Sequence, residues 1–306
     1  MSRESQPLPP AFMAKLERLR LMTRHRHMGR YSARMRSQKM GRGMEFAGYR
    51  PYSPGDDFKD VDWTLYGRLE RFYVRQAHEE TELNITLLVD VSASMTTGDP
   101  AKSKSAMELA TALAYLGLAR LDRVRLVPFA ADLLPPRPLP RRKSAAVTVY
   151  RTLEGLYERS PKEQQFAASD LTRAAKRLSV VTKDRGLALV ISDFLFDDGW
   201  REGLRVLASA RFEPALVRIA SPQEMDPAQL PSGRGEMLLR DVETGRRMRV
   251  EVDKAMRRRF HKVYSEFEES IGRFVRDHGL GYGRVVTDQP LDEAVFEALR
   301  AGGVVA

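Results

Sequence analysis

The spacing of hydrophobic positions changes several times along the chain. Residues 83–91, LNITLLVDV, form a short β-branched and aliphatic run, the pattern of a strand buried on both faces. Residues 124–129, 187–191 and 215–219 repeat it, and 283–287 read as one more strand. Between them lie stretches of helical period: 103–120 (with Met107, Leu109, Leu113, Leu116 and Leu118), 147–158, 171–181 and 200–211. Strand alternating with helix predicts a doubly wound, Rossmann-like α/β domain with a mostly parallel sheet. Residues 131–142, with four prolines, read as a loop. Residues 236–252, centred on Glu243-Thr244-Gly245-Arg246, read as a β-hairpin excursion from that sheet. A long helix over 254–279 and a last one over 292–301 complete the domain.

The amino-terminal quarter has a different texture. Residues 10–28 can form a helix with Phe12, Leu16, Leu19 and Thr23 on one side. Residues 45–60, EFAGYRPYSPGDDFKD, are rich in Gly, Pro and Asp and read as loop. Residues 61–70 suit a short helix and 71–81 are extended in character. Three segments are expected: an arm over 1–45, an irregular segment over 46–82, and the α/β domain over 83–306 with its hairpin insertion near 236–252.

Charge sharpens this division. Over 306 residues the net charge is +10, and residues 1–45 hold 11 Lys/Arg against Glu4, Glu17 and Glu45, which is +8. The basic character therefore belongs to the arm, and the body is close to neutral. Such an arm either binds an anionic surface, nucleic acid or lipid, or docks its apolar stripe on its own domain or an acidic partner. The chain has no cysteine, which excludes disulfides, thiolate nucleophiles and Cys-held metal centres. No run approaches a membrane span, and a cytoplasmic protein, with attachment at the inner-membrane surface left open, is the expectation. Neither a G-x-x-x-x-G-K-[ST] loop nor a G-x-S-x-G elbow is present, and none of the five histidines forms H-x-x-x-H.

One constellation remains. The first core strand ends in Asp90-Val91-Ser92-Ala93-Ser94, and in α/β sheets ligands gather beyond the carboxyl ends of strands. Asp90, Ser92 and Ser94 offer hard oxygen atoms suited to Mg²⁺, with Mn²⁺ or Ca²⁺ as alternatives. Ser169, ahead of the helix at Leu171, and Asp193, at the end of another strand, are further ligand candidates. So few carboxylates leave a divalent ion with open positions, where an acidic side chain of another protein can displace water. Such a site needs no chemical step, and the protein is read as a binding module and not an enzyme. A metal-dependent hydrolase using the same cluster is a second reading, although the strand-end Asp-x-Asp phosphotransferase pattern would need an aspartate in place of Ser92. An anionic-surface binder acting through residues 1–45 is a third.

The residues also carry a family resemblance. Gly43-Met44-Glu45-Phe46, then Arg50-Pro51-Tyr52-Ser53-Pro54-Gly55-Asp56-Asp57, then Val61-Asp62-Trp63, precede Leu87-Leu88-Val89-Asp90-Val91-Ser92-Ala93-Ser94-Met95. Together these blocks resemble the bacterial DUF58 family, over about residues 28–300. The resemblance implies a von Willebrand factor A-like core with a metal-ion-dependent adhesion site. It puts ligands at Asp90, Ser92 and Ser94, the second-loop hydroxyl at Ser169, where threonine is usual, and the third-loop aspartate at Asp193. It further implies a MoxR-type AAA+ ATPase as partner, the chain acting as an adaptor toward a client protein with an acidic side chain. In the upstream block, Arg50, Asp56, Asp57 and Asp62 suggest an ion-pair network, with Trp63 as an anchor.

Overall fold

The computed structural model describes residues 8–19, 44–56, 58, 61–79, 82–160, 162–163, 168–196, 199–226, 236–243, 245–251 and 253–305. The chain divides into two units, one of residues 1–24 with 83–306, the other of residues 25–82.

The larger unit is built on a six-stranded sheet. Its strands are β3 (Asn84–Asp90), β4 (Arg123–Phe129), β5 (Arg137–Pro138), β6 (Leu187–Ser192), β7 (Glu213–Ala220) and β10 (Gly281–Val286), in the order β10-β7-β6-β3-β4-β5. All neighbours run parallel except β5, which pairs antiparallel with β4 through residues read as loop. The alternation of side chains along each strand divides the core in two. Ile85, Leu87, Val89, Leu189 and Ile191 face one layer with Leu109, Leu113 and Leu116 of α3 (Lys102–Ala119) and Val149 and Leu153 of α4 (Ala146–Tyr157). Leu88, Ala188 and Val190 face the other with Leu171, Ala174 and Leu178 of α5 (Leu171–Val181), Trp200, Leu204 and Leu207 of α6 (Gly199–Ser209) and Ile271 and Phe274 of α8 (Lys254–His278). Burial on both faces is why these strands read as continuous apolar runs.

Three local features depart from the sequence expectation. A single-turn helix, α7 (Pro222–Met225), follows β7, closed by a capping box between Ser221 and Glu224. The last helix is interrupted: Leu291–Glu293 and Leu299–Ala301 are α-helical and Ala294–Ala298 between them is a π-turn. The helix expected over 10–28 is α1 (Pro10–Leu16), and residues 20–28 lie outside the described residues. Leu8, Phe12, Leu16 and Leu19 are buried in the α3 layer, so this part of the basic arm belongs to the core of the α/β unit. The hairpin excursion is present as β8 (Glu236–Arg240) and β9 (Arg247–Glu251), antiparallel and separate from the main sheet.

In the smaller unit, β1 (Met44–Pro51) pairs antiparallel with β2 (Tyr73–Glu79), with a register shift between Phe46 and Gly48. Much of the segment read as loop is therefore strand; its Gly and Pro residues mark the irregularity and the strand end instead of the absence of a strand. Between the two lies α2 (Trp63–Leu69), capped by Asp62, which accepts from Thr64 N at 2.9 Å and Leu65 N at 3.0 Å and from the Tyr49 hydroxyl at 2.8 Å. Asp62 thus acts as a helix cap. Trp63, read as an anchor, is exposed, its ring edge-on to Tyr66 and Phe72. The side chains of Arg50 and Asp57, two members of the expected ion-pair network, lie outside the described residues.

Candidate functional site

The strand order reverses direction at β3: β4 follows it on one side, β6 on the other. Ligand crevices of α/β sheets open at such a switch point, beyond the carboxyl ends of the strands. Asp90 ends β3 there, and Ser192 ends β6 beside it.

Asp90 is completely buried, yet its carboxylate is densely hydrogen-bonded. Oδ1 accepts from Ser92 N at 2.9 Å and from the Ser169 hydroxyl at 2.6 Å; Oδ2 accepts from the Ser192 hydroxyl at 2.6 Å. The main chain around it is fixed as well. Val91 N donates to Phe129 O, the Tyr157 phenol to Asp90 O at 2.6 Å and the Ser160 hydroxyl to Val91 O at 2.8 Å. After Val91 the chain turns into a 3₁₀ turn, Ala93–Thr96, which brings the hydroxyls of Ser92 and Ser94 to 3.0 Å from each other. Ser169 arrives from another direction: Asp170 N donates to Ala130 O at the end of β4, and Asp170, not Ser169, caps α5. This leaves the Ser169 hydroxyl free to face Asp90. Asp90, Ser92, Ser94 and Ser169 are therefore brought together from residues up to 79 positions apart in sequence. Ser94 and Ser169 are half-buried, so the group opens to solvent on their side.

Asp193, the fifth expected residue, lies alongside but is already engaged. Its Oδ1 accepts from Leu195 N at 3.1 Å, and its Oδ2 is 2.6 Å from the Lys102 ammonium. Lys102 opens α3, is fully buried, and also pairs with Glu224 of α7. Burial pulls the Lys102 amine down, but the carboxylates of Asp193 and Glu224 outweigh it and hold it above its usual range. On the other side, buried Arg218 of β7 donates to Asp193 O at 3.2 Å and pairs with Glu268 of α8. Phe194 then takes the left-handed region at φ 55, a conformation that costs a bulky residue about 1–3 kcal/mol. Its ring packs edge-on to Trp200 in the core, which holds the turn that aims Asp193.

The electrostatics are unequal. Lys102 neutralises the Asp193 side, and Arg218 is matched by Glu268. Asp90 has no cation within ion-pair distance among the described residues. Burial, then the charge of Asp193, raise its pKa to about 6 against the lowering by Ser169, Ser192 and Ser92 N. One further carboxylate bears on the cluster through its charge: Glu243, half-buried at the turn of the β8–β9 hairpin. Burial, then the charges of Asp90, Asp193 and Asp241, raise it to about 7. A small hard cation or protons satisfy such a group. Among the described residues no cluster of three or more His, Cys, Asp or Glu forms a metal cage; the oxygen donors here are mainly hydroxyls.

Sequence reasoning did not assign roles to Lys102, Ser192, Glu224 or Glu243. Ser192 stands beside Asp193 in the strand-end Ile191-Ser192-Asp193-Phe194, and the capping-box spacing of Ser221 and Glu224 is visible in sequence, so two of the four carried a local signal. The partners of Lys102 lie 91 and 122 residues away, and nothing local announces them.

Fold and site together define an α/β protein with a hydroxyl-rich acidic cluster at its switch point, and comparison with known proteins adds its family. The profile described as "Protein of unknown function DUF58" matches residues 48–270, and the chain belongs to that family. It is 30% identical over 270 residues to uncharacterized protein Rv1480 of Mycobacterium tuberculosis, covering 87% of this chain and 82% of that one, and equally to Mb1516 of Mycobacterium bovis. Among solved structures, the conserved hypothetical protein BatB from Bacteroides thetaiotaomicron is similar at a TM-score of 0.44 and 17% identity, over 72% of this chain and 98% of that one. No helix among the described residues is long and apolar enough to cross a membrane.

Proposed function

We propose that the strand-end cluster is a metal-ion-dependent adhesion site of the von Willebrand factor A type, and that the protein is a non-enzymatic binding module. One observation carries this reading: a wholly buried carboxylate, Asp90, with two hydroxyls and an N–H donating to it and, among the described residues, no cation to balance it. The donors fit Mg²⁺. Asp90, Ser92 and Ser94 would hold it, with Ser169 completing the hydroxyl shell and Asp193, one oxygen already on Lys102, acting through water. Mg²⁺ tolerates such a shell because it keeps several waters. A bound ion would supply one chemistry, a position where an incoming carboxylate can bind in place of water.

The chain's own residues do the rest. Asp90 is held rigid by Ser192, Tyr157 and Ser160, so its geometry does not depend on the ion. Burial keeps the Tyr157 phenol protonated, and the charges of Asp90 and Asp193 add to this, so it remains a donor to Asp90 O. The resemblance to DUF58 relatives supports a MoxR-type AAA+ ATPase as partner and an adaptor role toward a client protein. The test is affinity capture from cell extract with and without EDTA, comparing wild type with Asp90→Ala. Loss of the same partner in the variant and in EDTA, with the circular dichroism spectrum showing the variant folded, is expected. Equal capture in all arms would overturn the reading.

A further inference from the structure

The hairpin β8–β9 is a sheet of its own, and among the described residues no other strand pairs with either of its edges. Its register runs without a shift: Glu236 stands opposite Glu251, Met237 opposite Val250, Leu238 opposite Arg249, Leu239 opposite Met248 and Arg240 opposite Arg247. Cross-strand partners share a face, so the ribbon has an apolar side at positions 237, 239, 248 and 250. Its other side is charged at 236, 240, 247, 249 and 251, with Leu238 in the middle. Two features are costly in a hairpin left alone. Leu238, Leu239 and Met248 are exposed to solvent. The register also sets like charge against like, acid opposite acid at one end and arginine opposite arginine at the other, and such pairs are destabilising. Open edge strands are ordinarily blocked by a proline, a lysine or a bulge. The strand β8, Glu-Met-Leu-Leu-Arg, has none of these; its only charges are at its two ends, and they are opposite in sign.

That order of residues is complementary to itself. Laid antiparallel against a second β8 about a two-fold axis at Leu238, position 236 of each copy meets 240 of the other, 237 meets 239, and 238 meets its own counterpart. Acid then faces arginine at both ends, and apolar residues face each other between them. The strand β9 lacks this property, because the same operation sets Arg249 against Arg249. The pairing also relieves the hairpin's like-charge pairs, since the acid pair of one copy comes into line with the arginine pair of the other. We propose that the outer edge of β8 is a contact surface for a second copy of this chain, and that the protein forms a two-fold dimer by antiparallel β8–β8 pairing. Strand addition at an open edge supplies the main-chain hydrogen bonds, and the end charges fix the register. Five residues a side make a small contact, so association is expected at about 10–100 μM protomer. The inference uses no residue of the Asp90 cluster and stands or falls apart from it.

The experiment is sedimentation equilibrium of the full chain from about 1 to 300 μM, since protomer concentration sets the populations. Wild type should pass from monomer to dimer over that range. Glu236→Arg and Arg240→Glu should each weaken the dimer about tenfold or more, because each sets two like-charge pairs across the axis. Both substitutions give the hairpin a favourable pair of its own, with Glu251 or with Arg247, so a hairpin that fails to form does not explain the loss. Two arms should restore association: the double variant, whose exchanged charges match again, and an equimolar mixture of the two single variants. Register is read separately. The chain has no cysteine, so Leu238→Cys, on the axis, should give a disulfide-linked dimer under mild oxidation. Leu239→Cys, set diagonally from its own counterpart, should do so about tenfold more slowly. A wild type that stays monomeric throughout overturns the inference and leaves the edge to a different partner. A dimer indifferent to the single variants, or one that neither the double variant nor the mixture restores, overturns it too, as does equal cross-linking of the two cysteine variants.

Discussion

Asp90 and Lys102 are both fully buried ions, and their surroundings treat them oppositely. Lys102 meets two carboxylates; Asp90 meets only dipoles. Hydroxyl and amide dipoles recover part of the hydration that a carboxylate loses on burial, but not all of it. The consequence is a pH dependence whose sign is fixed. The Asp90 carboxyl sits at about 6 in the folded protein against an ordinary 3.8, so the native state holds the proton more tightly than the unfolded chain. Its contribution is complete below about pH 4 and is lost as pH rises through about 6. The gap between the two values corresponds to roughly 3 kcal/mol at most. Glu243, raised to about 7, acts in the same direction. Urea melts in EDTA should therefore show stability falling from about pH 4 to pH 7 through these groups, and Asp90→Asn should reduce the slope without abolishing it. Saturating Mg²⁺ should offset the fall in wild type only, because a cation favours the ionised form. An identical slope in wild type and Asp90→Asn would show that Asp90 is not the origin.

At the scale of elements, the site is a meeting of ends. The termini of β3 and β6, the start of α3 and α7 after β7 converge on one edge of the sheet. Lys102 joins three of them, since α3 carries it, Asp193 follows β6 and Glu224 lies in α7. Gly98, at φ 98, lets the loop before α3 approach Ser221, where a Cβ would stand 2.9 Å from the serine's Cβ. Lys102→Met keeps the length and removes the charge, leaving Asp193 and Glu224 facing each other with their shared cation gone. A loss of about 3–5 kcal/mol is expected, read as a lower urea midpoint at neutral pH, and it should shrink in acid as the carboxylates are protonated. A loss below about 1 kcal/mol would show that water takes the place of the ammonium. The strands of this edge were legible because burial on both faces writes a continuous apolar run, as in Leu187–Ser192. The strand-end oxygen atoms of the cluster were legible because Asp90, Ser92 and Ser94 are neighbours in sequence. The Lys102 contacts were not. They join residues far apart in the chain, and a lone lysine at a helix start has the same local appearance whether or not it meets a buried acid. The strand Met44–Pro51 was hidden for a different reason: its Gly and Pro residues mimic loop composition.

For the whole molecule, the open question is what the basic amino-terminal segment contributes. Charge alone allows a solvated arm reaching for an anionic surface. The described part argues that residues 8–19 are structural. Leu8, Phe12, Leu16 and Leu19 join the larger core, Phe12 meets Phe296 edge-on at 6.1 Å, Glu17 accepts from Tyr115 at 2.7 Å and pairs with Lys143 at 2.5 Å, and Lys15 pairs with Asp292 at 3.7 Å. The three polar contacts are exposed and contribute little each. The apolar stripe contributes most, and it joins the C-terminal helix and α3 on the face of the sheet that also carries α4. Two readings give distinct numbers. If the segment were a solvated arm, Phe12→Ala would leave stability within about 0.5 kcal/mol of wild type. As a core element it should cost about 3–5 kcal/mol by urea denaturation, with the loss insensitive to salt because no screened charge is involved. Lys15→Ala, removing only an exposed ion pair, should cost under about 1 kcal/mol. That pattern, large at Phe12 and small at Lys15, would place residues 8–19 within the fold and confine any anionic-surface binding by the arm to the positive charges elsewhere in residues 1–45. The reverse pattern would assign the segment to electrostatics instead.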